Sequence, residues 1–251
     1  MKKYLVFNWK MSPSSLEEAE ALFKILIKSN PSLKIIVAPP FIYLEMARKI
    51  LQNKYSLCAQ DVFWQDRTFA TGEISPKMLK SLSLEYAIVG HSERRHYFKE
   101  TDEIINLKMK GCLNNGLIPI LCIGEEKRGE KENSSNFKVK KILFDQLNKA
   151  FRGIKLNKRN SVIIAYEPVW AIGGKIPETV QETEKISDLI RFWLLRRFSE
   201  SVALSIPILY GGSVKAQNII EFLSLKNISG VLVGSASTNK AELKKILSLV
   251  Q

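Results

Sequence analysis

The run Val162-Ile163-Ile164-Ala165-Tyr166, followed by Glu167 and then by Pro168-Val169-Trp170-Ala171-Ile172-Gly173-Gly174-Lys175, decides how the rest of the chain is read. A short apolar run rich in β-branched residues predicts a strand buried on both faces, the pattern of a parallel sheet. Glu167 then stands at the carboxyl end of that strand. Pro168 fixes its own φ and biases Glu167 away from the helical region, so the carboxylate leaves the strand at a set angle. The rigid start and the Gly173-Gly174 pair predict a hinged lid, whose closure would cover Glu167 and expel water, a setting suited to a general base. Taken alone, the stretch also fits a surface glutamate ahead of a turn.

Outward from this stretch, similar apolar runs alternate with amphipathic helical windows along the whole chain. Strands are predicted at Tyr4 to Phe7, Ile35 to Ala38, Tyr55 to Ala59, Tyr86 to Val89, Ile118 to Ile123, Val162 to Tyr166, Pro207 to Tyr210 and Val231 to Val233. Helix starts are readable in Ser15-Leu16-Glu17-Glu18, a capping-box spacing, in Ser75-Pro76, with proline at a first turn, and in Thr101-Asp102-Glu103, with acids where the helix dipole favours them. Eight strand-then-helix units without a linker predict one α/β domain over residues 1–251, a closed (β/α)8 barrel. An open doubly wound sheet competes, but it would carry a glycine-rich phosphate fingerprint after its first strand, where this chain has Asn8-Trp9-Lys10.

Composition bounds the function. At 251 residues and 45% hydrophobic content the chain can bury a substantial core. Its apolar start stops at Asn8, too short for a signal segment or a membrane span. Cys58, Cys112 and Cys122 form an odd set without C-x-x-C spacing, which predicts reduced thiols and a cytoplasmic location. The net charge of +13 is spread over helical segments, as in Lys138, Lys140 and Lys141, so solvated helix faces are expected and no nucleic-acid or membrane partner.

Polar residues collect where a barrel puts its chemistry, at the carboxyl ends of the strands. These are Asn8 and Lys10 after the first strand, Gly90-His91-Ser92-Glu93 after the fourth, Glu167 after the sixth, Gly211-Gly212-Ser213 after the seventh and Gly234-Ser235 after the eighth. The last two glycine-rich turns leave backbone N–H groups free to converge on a phosphate, with Gly173 of the lid as a further donor. Lys10 adds a compact positive charge suited to an anionic substrate. His91 and His96, the chain's two histidines, are five residues apart and lack a carboxylate or cysteine cluster, so chemistry without a metal is expected. His91 is then a proton donor or electrophile opposite the base Glu167.

Six motifs in order resemble the triosephosphate isomerase family: Asn8-Trp9-Lys10, Thr71-Gly72-Glu73-Ile74-Ser75, Gly90 to Arg95, Cys122-Ile123-Gly124-Glu125, Tyr166 to Gly173, and Tyr210-Gly211-Gly212-Ser213. The resemblance covers essentially the whole chain. It implies a TIM barrel, no cofactor, and interconversion of dihydroxyacetone phosphate and glyceraldehyde 3-phosphate through an enediol or enediolate, in glycolysis and gluconeogenesis. It makes Glu167 the base and His91 the neutral electrophile, a pairing for which this family is itself the standard example. It makes Lys10, which would hold the phosphate and stabilise developing negative charge, and Asn8 beside it catalytic as well as substrate-binding, and gives Ser92 and Glu93 to support and Gly173, Ser213, Gly234 and Ser235 to the phosphate. The apolar loop Asp61 to Glu73, with Phe63, Trp64 and Phe69, resembles the loop that the family inserts into a second subunit, which implies a homodimer with Thr71 reaching the partner's site.

The chain departs from the family pattern in three places. The lid is shortened to Gly173-Gly174-Lys175. Ser235 stands where glycine is usual, which predicts a restricted backbone and a crowded phosphate. Asp61 replaces a common asparagine and adds a negative charge. Cys122 is expected to pack near the site and not to act as a nucleophile. Another phosphate-binding barrel enzyme, or a phosphate-ligand binding protein without activity, are the alternative functions.

Overall fold

The computed structural model describes residues 3–127, 132–157, 161–172 and 178–251, and within residues 132–136 the backbone alone. Among them the chain forms β1 (Tyr4–Asn8), α1 (Leu16–Lys28), β2 (Lys34–Ala38), α2 (Leu44–Leu51), β3 (Ser56–Ala59), α3 (Pro76–Ser81), β4 (Tyr86–Val89), α4 (Ser92–Tyr97), α5 (Asp102–Asn114) and β5 (Ile118–Ile123). It continues with α6 (Glu132–Ala150), β6 (Ile163–Tyr166), α7 (Val180–Arg197), α8 (Glu200–Ser205), β7 (Ile208–Tyr210), α9 (Ile219–Ser224), β8 (Gly230–Val233) and α10 (Lys240–Leu249).

The strands pair in parallel in chain order and close on themselves, with Tyr4 opposite Gly230 and Phe7 opposite Val233 at the seam. Every predicted strand is present to within one residue at either end. The continuous apolar runs have a physical reason, because each strand buries both faces. Alternate residues such as Val6, Ile36, Ile88, Ile120, Ile163 and Leu209 fill the barrel interior. Their neighbours, among them Phe7, Val37, Val89, Leu121, Ile164 and Val231, pack outward under the helices. The interior is therefore a packed core, and open space is left only at its ends.

The helix starts follow the expected chemistry. Ser15, Ser75 and Thr101 each accept a hydrogen bond from the amide three residues on, and Pro76 opens α3. Cys58 and Cys122 lie in the barrel interior and Cys112 in the shell, all three unpaired. No helix among the described residues is long and apolar enough to cross a membrane.

The apolar loop after β3 is part buried and part not. Phe63 and Trp64 stack at 4.0 Å, and the Trp64 backbone lies so close to Gly111 of α5 that a Cβ there would come within 2.7 Å of its carbonyl. Phe69 and Thr71 remain exposed. At the start of this loop Asp61 is buried in a four-charge cluster. It accepts from Lys108 Nζ at 2.6 Å and from Arg94 Nη2 at 2.9 Å, and Glu100 takes both cations on its Oε1. Two cations face two carboxylates, so the extra negative charge of Asp61 makes the cluster locally neutral. Burial nonetheless pushes the Asp61 carboxyl above its ordinary range, Lys108 and Arg94 pulling back against it.

Candidate active site

A cavity of about 490 Å³ opens at the carboxyl ends of the strands, lined by Lys10, His91, Gly211, Ser213, Gly234 and Ser235 among others. The residues come from the ends of β1, β4, β7 and β8, far apart in sequence and adjacent because the barrel closes. This is the location at which barrel proteins concentrate their chemistry.

Lys10 is held in an unusual state. Its φ is +53°, a left-handed conformation that a residue with a Cβ adopts at a cost of roughly 1–2 kcal/mol. Side chains on either side offset that cost. The Lys10 amide donates to Asn8 Oδ1 at 3.1 Å, and its carbonyl accepts from Gln60 Nε2 at 2.9 Å. Gln60 also donates to the Ala38 carbonyl at 2.8 Å, tying the ends of β1, β2 and β3 together. The ammonium reaches across to Glu93 Oε1 at 2.6 Å.

His91 follows Gly90, whose φ of +74° turns the chain out of β4. It caps α4: Nδ1 accepts from the Glu93 amide at 3.2 Å. An Nδ1 that accepts carries no proton, so the ring proton is on Nε2, which points toward Glu167 Oε1 at 3.5 Å. Arg95 donates from Nε to the Gly90 carbonyl at 2.9 Å and pairs with Asp102 at 2.6 Å, which fixes this turn from behind.

Glu167 is 1% exposed and stands behind the cavity wall. Its amide donates to the Ile123 carbonyl at 2.8 Å, continuing the β5–β6 ladder by one bond. That approach needs Gly124, where a Cβ would sit 1.7 Å from the Glu167 carbonyl oxygen. The carboxylate is parked. Oε2 accepts from the Ser92 amide at 3.3 Å, whereas Oε1 is buried without a hydrogen-bond partner among the described residues. An unsatisfied buried carboxylate oxygen is costly, and active sites are where such groups persist. Cys122 lies close by, and burial together with the Glu167 charge pushes its thiol well above its ordinary range, which leaves no thiolate for nucleophilic work.

Behind Glu167, the base of the expected lid is anchored. Glu125 is buried and accepts on Oε1 from Trp170 Nε1 at 2.8 Å and from the Tyr166 hydroxyl at 3.1 Å, and its carbonyl accepts from the Val169 amide at 3.0 Å. Residues Val169–Ala171 form a 3-10 turn directly after Pro168. Gly173, Gly174 and Lys175 lie outside the described residues.

At the other side of the cavity, Gly234 passes so near Lys10 that a Cβ there would be 3.3 Å from its Cε and 3.7 Å from its Nζ. Ser235 opens a 3-10 turn over Ser235–Ser237 and is absent from the positive-φ residues. The restricted backbone expected of a serine here therefore does not arise, because the turn uses a conformation open to any residue.

The barrel thus brings together Asn8, Lys10, His91, Ser92, Glu93, Glu167, Ser213, Gly234 and Ser235. Thr71 stands apart on its exposed loop. The sequence reading gives no role to Gln60, Arg95 and Glu125, although Gln60 follows β3 directly and obeys the same rim rule that selected the others, and it reads Gly211 only as part of a phosphate-binding turn. Among the described residues no group of three His, Cys, Asp or Glu could hold a metal.

A closed parallel barrel with a cationic cavity at its carboxyl end, one buried carboxylate and one histidine facing each other, places the chain in the class of (β/α)8-barrel enzymes. The sequence profile of triosephosphate isomerase matches residues 3–250. Over 239 residues the chain is 41% identical to the triosephosphate isomerase of Dictyoglomus turgidum, covering 94% of each chain. It is 40% identical to that of Thermodesulfovibrio yellowstonii over 250 residues, 98% of each, and 44% identical to that of Dehalococcoides mccartyi over 94% of this chain and 90% of the relative. The chain belongs to the triosephosphate isomerase family.

Proposed function

We infer that this chain interconverts dihydroxyacetone phosphate and D-glyceraldehyde 3-phosphate, an intramolecular aldose–ketose isomerisation, in glycolysis and gluconeogenesis. The observation that carries the assignment of roles is Glu167 Oε1, buried, without a hydrogen-bond partner among the described residues and 3.5 Å from the Nε2 of His91. With substrate between the two groups, Glu167 takes the proton from the carbon beside the carbonyl. His91 donates from Nε2 to the carbonyl oxygen as negative charge develops there, giving the enediol or enediolate. The same proton, now on Glu167, is returned to the neighbouring carbon while the proton of the original hydroxyl passes back to His91 Nε2, so atoms and charge balance without an external oxidant, a reductant or a cofactor.

Lys10 supplies positive charge to the phosphate and the developing oxyanion, with Asn8 and Gln60 as positioning residues and Glu93 holding the ammonium. Ser213, Gly234, Ser235 and Gly173 provide phosphate contacts, and closure of the lid excludes water from the intermediate.

A homodimer fits the distribution of exposed apolar side chains. Met11, Ile42, Phe69, Tyr97 and Phe98 are all exposed and follow β1, β2, β3 and β4, consecutive strands on one side of the rim. This group of exposed apolar side chains on neighbouring loops suits a second copy, with Thr71 directed to the partner, while others such as Phe137 and Phe192 are exposed on the helices of the other half. Three buried, unpaired thiols agree with a reducing, cytoplasmic setting.

The test is a coupled assay with glyceraldehyde 3-phosphate on wild type and Glu167→Gln. Wild-type turnover with a loss of about 10²–10⁴-fold in the variant is expected for a general base. Absent turnover in the wild type, or equal rates in both, would sink the assignment.

A further inference from the structure

We propose that Gln146, on the outer helix α6, is a positioning residue for the reaction: its side-chain amide fixes the backbone of Gly124, and Gly124 in turn fixes the backbone of Glu167 and the first turn of the lid. The proposal rests on the isomerase function above and adds a residue outside the lining of the cavity.

The end of β5 explains why a side chain is needed there. β5 pairs with β4 as far as Val89 and Leu121. Beyond that pair β4 turns away at Gly90, whose φ is +74°, while β5 runs on to Ile123. The backbone groups left on that edge have no strand to bond, and side chains take them instead. Arg95 Nη2 donates to the Cys122 carbonyl at 3.4 Å. Gly124 has both of its groups met by one residue. Its amide donates to Gln146 Oε1 at 2.9 Å, and its carbonyl accepts from Gln146 Nε2 at 2.9 Å. A primary amide carries an acceptor and a donor side by side, so Gln146 stands in for the missing strand at this one residue.

The other edge of the same segment carries the base. The Glu167 amide donates to the Ile123 carbonyl at 2.8 Å and the Val169 amide to the Glu125 carbonyl at 3.0 Å, one bond on either side of Gly124. Between them the two chains touch: an added Cβ on Gly124 would lie 1.7 Å from the Glu167 carbonyl oxygen and 2.6 Å from its carbonyl carbon. Gly124 therefore cannot shift without moving Glu167, and glycine is the residue with the most conformational freedom to restrain. Gln146 supplies that restraint from a rigid element. Leu143, Leu147 and Ala150 dock α6 and are fully buried, so the helix keeps its place without the amide.

The variant is Gln146→Met, which keeps the length and helix propensity of the side chain and removes both hydrogen bonds. With glyceraldehyde 3-phosphate we expect kcat to fall on the order of tenfold, a part of the roughly 100-fold that a misplacement of about 1 Å costs. KM and the Ki of inorganic phosphate should stay within about twofold of wild type, because Lys10 and the turns after β7 and β8 are untouched. On a Glu167→Asp background, where the carboxylate is already withdrawn, Gln146→Met should cost less than about threefold. Amide hydrogen exchange reads the clamp without turnover. Exchange at Glu167 and Val169, whose own bonds go to Ile123 and Glu125, should quicken on the order of tenfold in Gln146→Met. A variant with kcat within about twofold of wild type overturns the proposal, as does a tenfold loss retained on the Glu167→Asp background or a loss shared with the phosphate Ki. Unchanged exchange at Glu167 and Val169 overturns it whatever the activity. If the wild type fails to isomerise while exchange at Glu167 still depends on Gln146, the isomerase assignment fails and the clamp stands.

Discussion

Gly211→Ala is the sharpest probe of how Glu167 is placed. A Cβ at Gly211 would come 2.8 Å from Glu167 Cγ and 3.4 Å from Oε1. Carbon atoms rest at roughly 3.5–4.0 Å, so the new methyl overlaps by about 0.7–1.2 Å. Neither backbone can retreat to relieve it. The Gly211 amide donates to the Tyr166 carbonyl at 2.7 Å, and the Glu167 backbone is bonded to Ile123 on one side and pressed by Gly124 on the other. The strain must go into the Glu167 side chain, displacing its carboxylate by about 1 Å. A misplacement of that size costs on the order of 10²-fold in rate, about 2.7 kcal/mol of barrier. We expect kcat/KM for glyceraldehyde 3-phosphate to fall on the order of 100-fold, with melting lowered only as far as overpacking of about 1–3 kcal/mol implies. The control is the double variant: on a Glu167→Gln background, where no base remains to misplace, Gly211→Ala should add little. Activity of Gly211→Ala within about threefold of wild type would refute the reasoning, and so would an undiminished 100-fold loss on the Glu167→Gln background.

Two further outcomes follow from the buried charges and the exposed loop. Burial raises the Glu125 carboxyl above its ordinary range, against the pull of its bonds from Trp170 and Tyr166. The folded chain therefore holds a proton that the unfolded chain has released just above the usual carboxylate range, from about pH 4.3 upward. That group's contribution makes stability fall as pH rises through the window, and Glu125→Gln should flatten the slope there in chemical denaturation at stepped pH; an unchanged slope would count against it. Thr71→Arg should yield monomers with little activity, read by sedimentation and the coupled assay, and a dimeric, fully active variant would remove Thr71 from the interface.

Much of this architecture is local and therefore visible in the chain. Side-chain alternation along Val162–Tyr166 or Ile118–Ile123 is a property of a few neighbouring residues, and so are the caps at Ser15, Ser75 and Thr101. Eight such units leave few ways to close, and the rim rule then points to Lys10, His91 and Glu167. These residues were legible because each ends a strand or belongs to a motif. Other features needed through-space distances. Gln60 grips the Lys10 carbonyl from fifty residues away, and Gly211 limits a carboxylate forty-four positions earlier. Asp61 reads in sequence as an added charge, yet the fold seats it between Lys108 and Arg94, where it completes a neutral cluster. Ser235 reads as an obstruction, yet an ordinary 3-10 turn accommodates it at the cavity wall.

The sequence alone determined the barrel, the end of it that carries chemistry and the carboxylate–histidine pair, because these depend on periodicity and on which residue follows each strand. Tertiary structure alone decided where the Glu167 carboxylate rests, what holds Lys10 in its left-handed conformation and how the turn after β8 accommodates Ser235. Those depend on contacts between residues that only the closure of the barrel brings within a few ångströms.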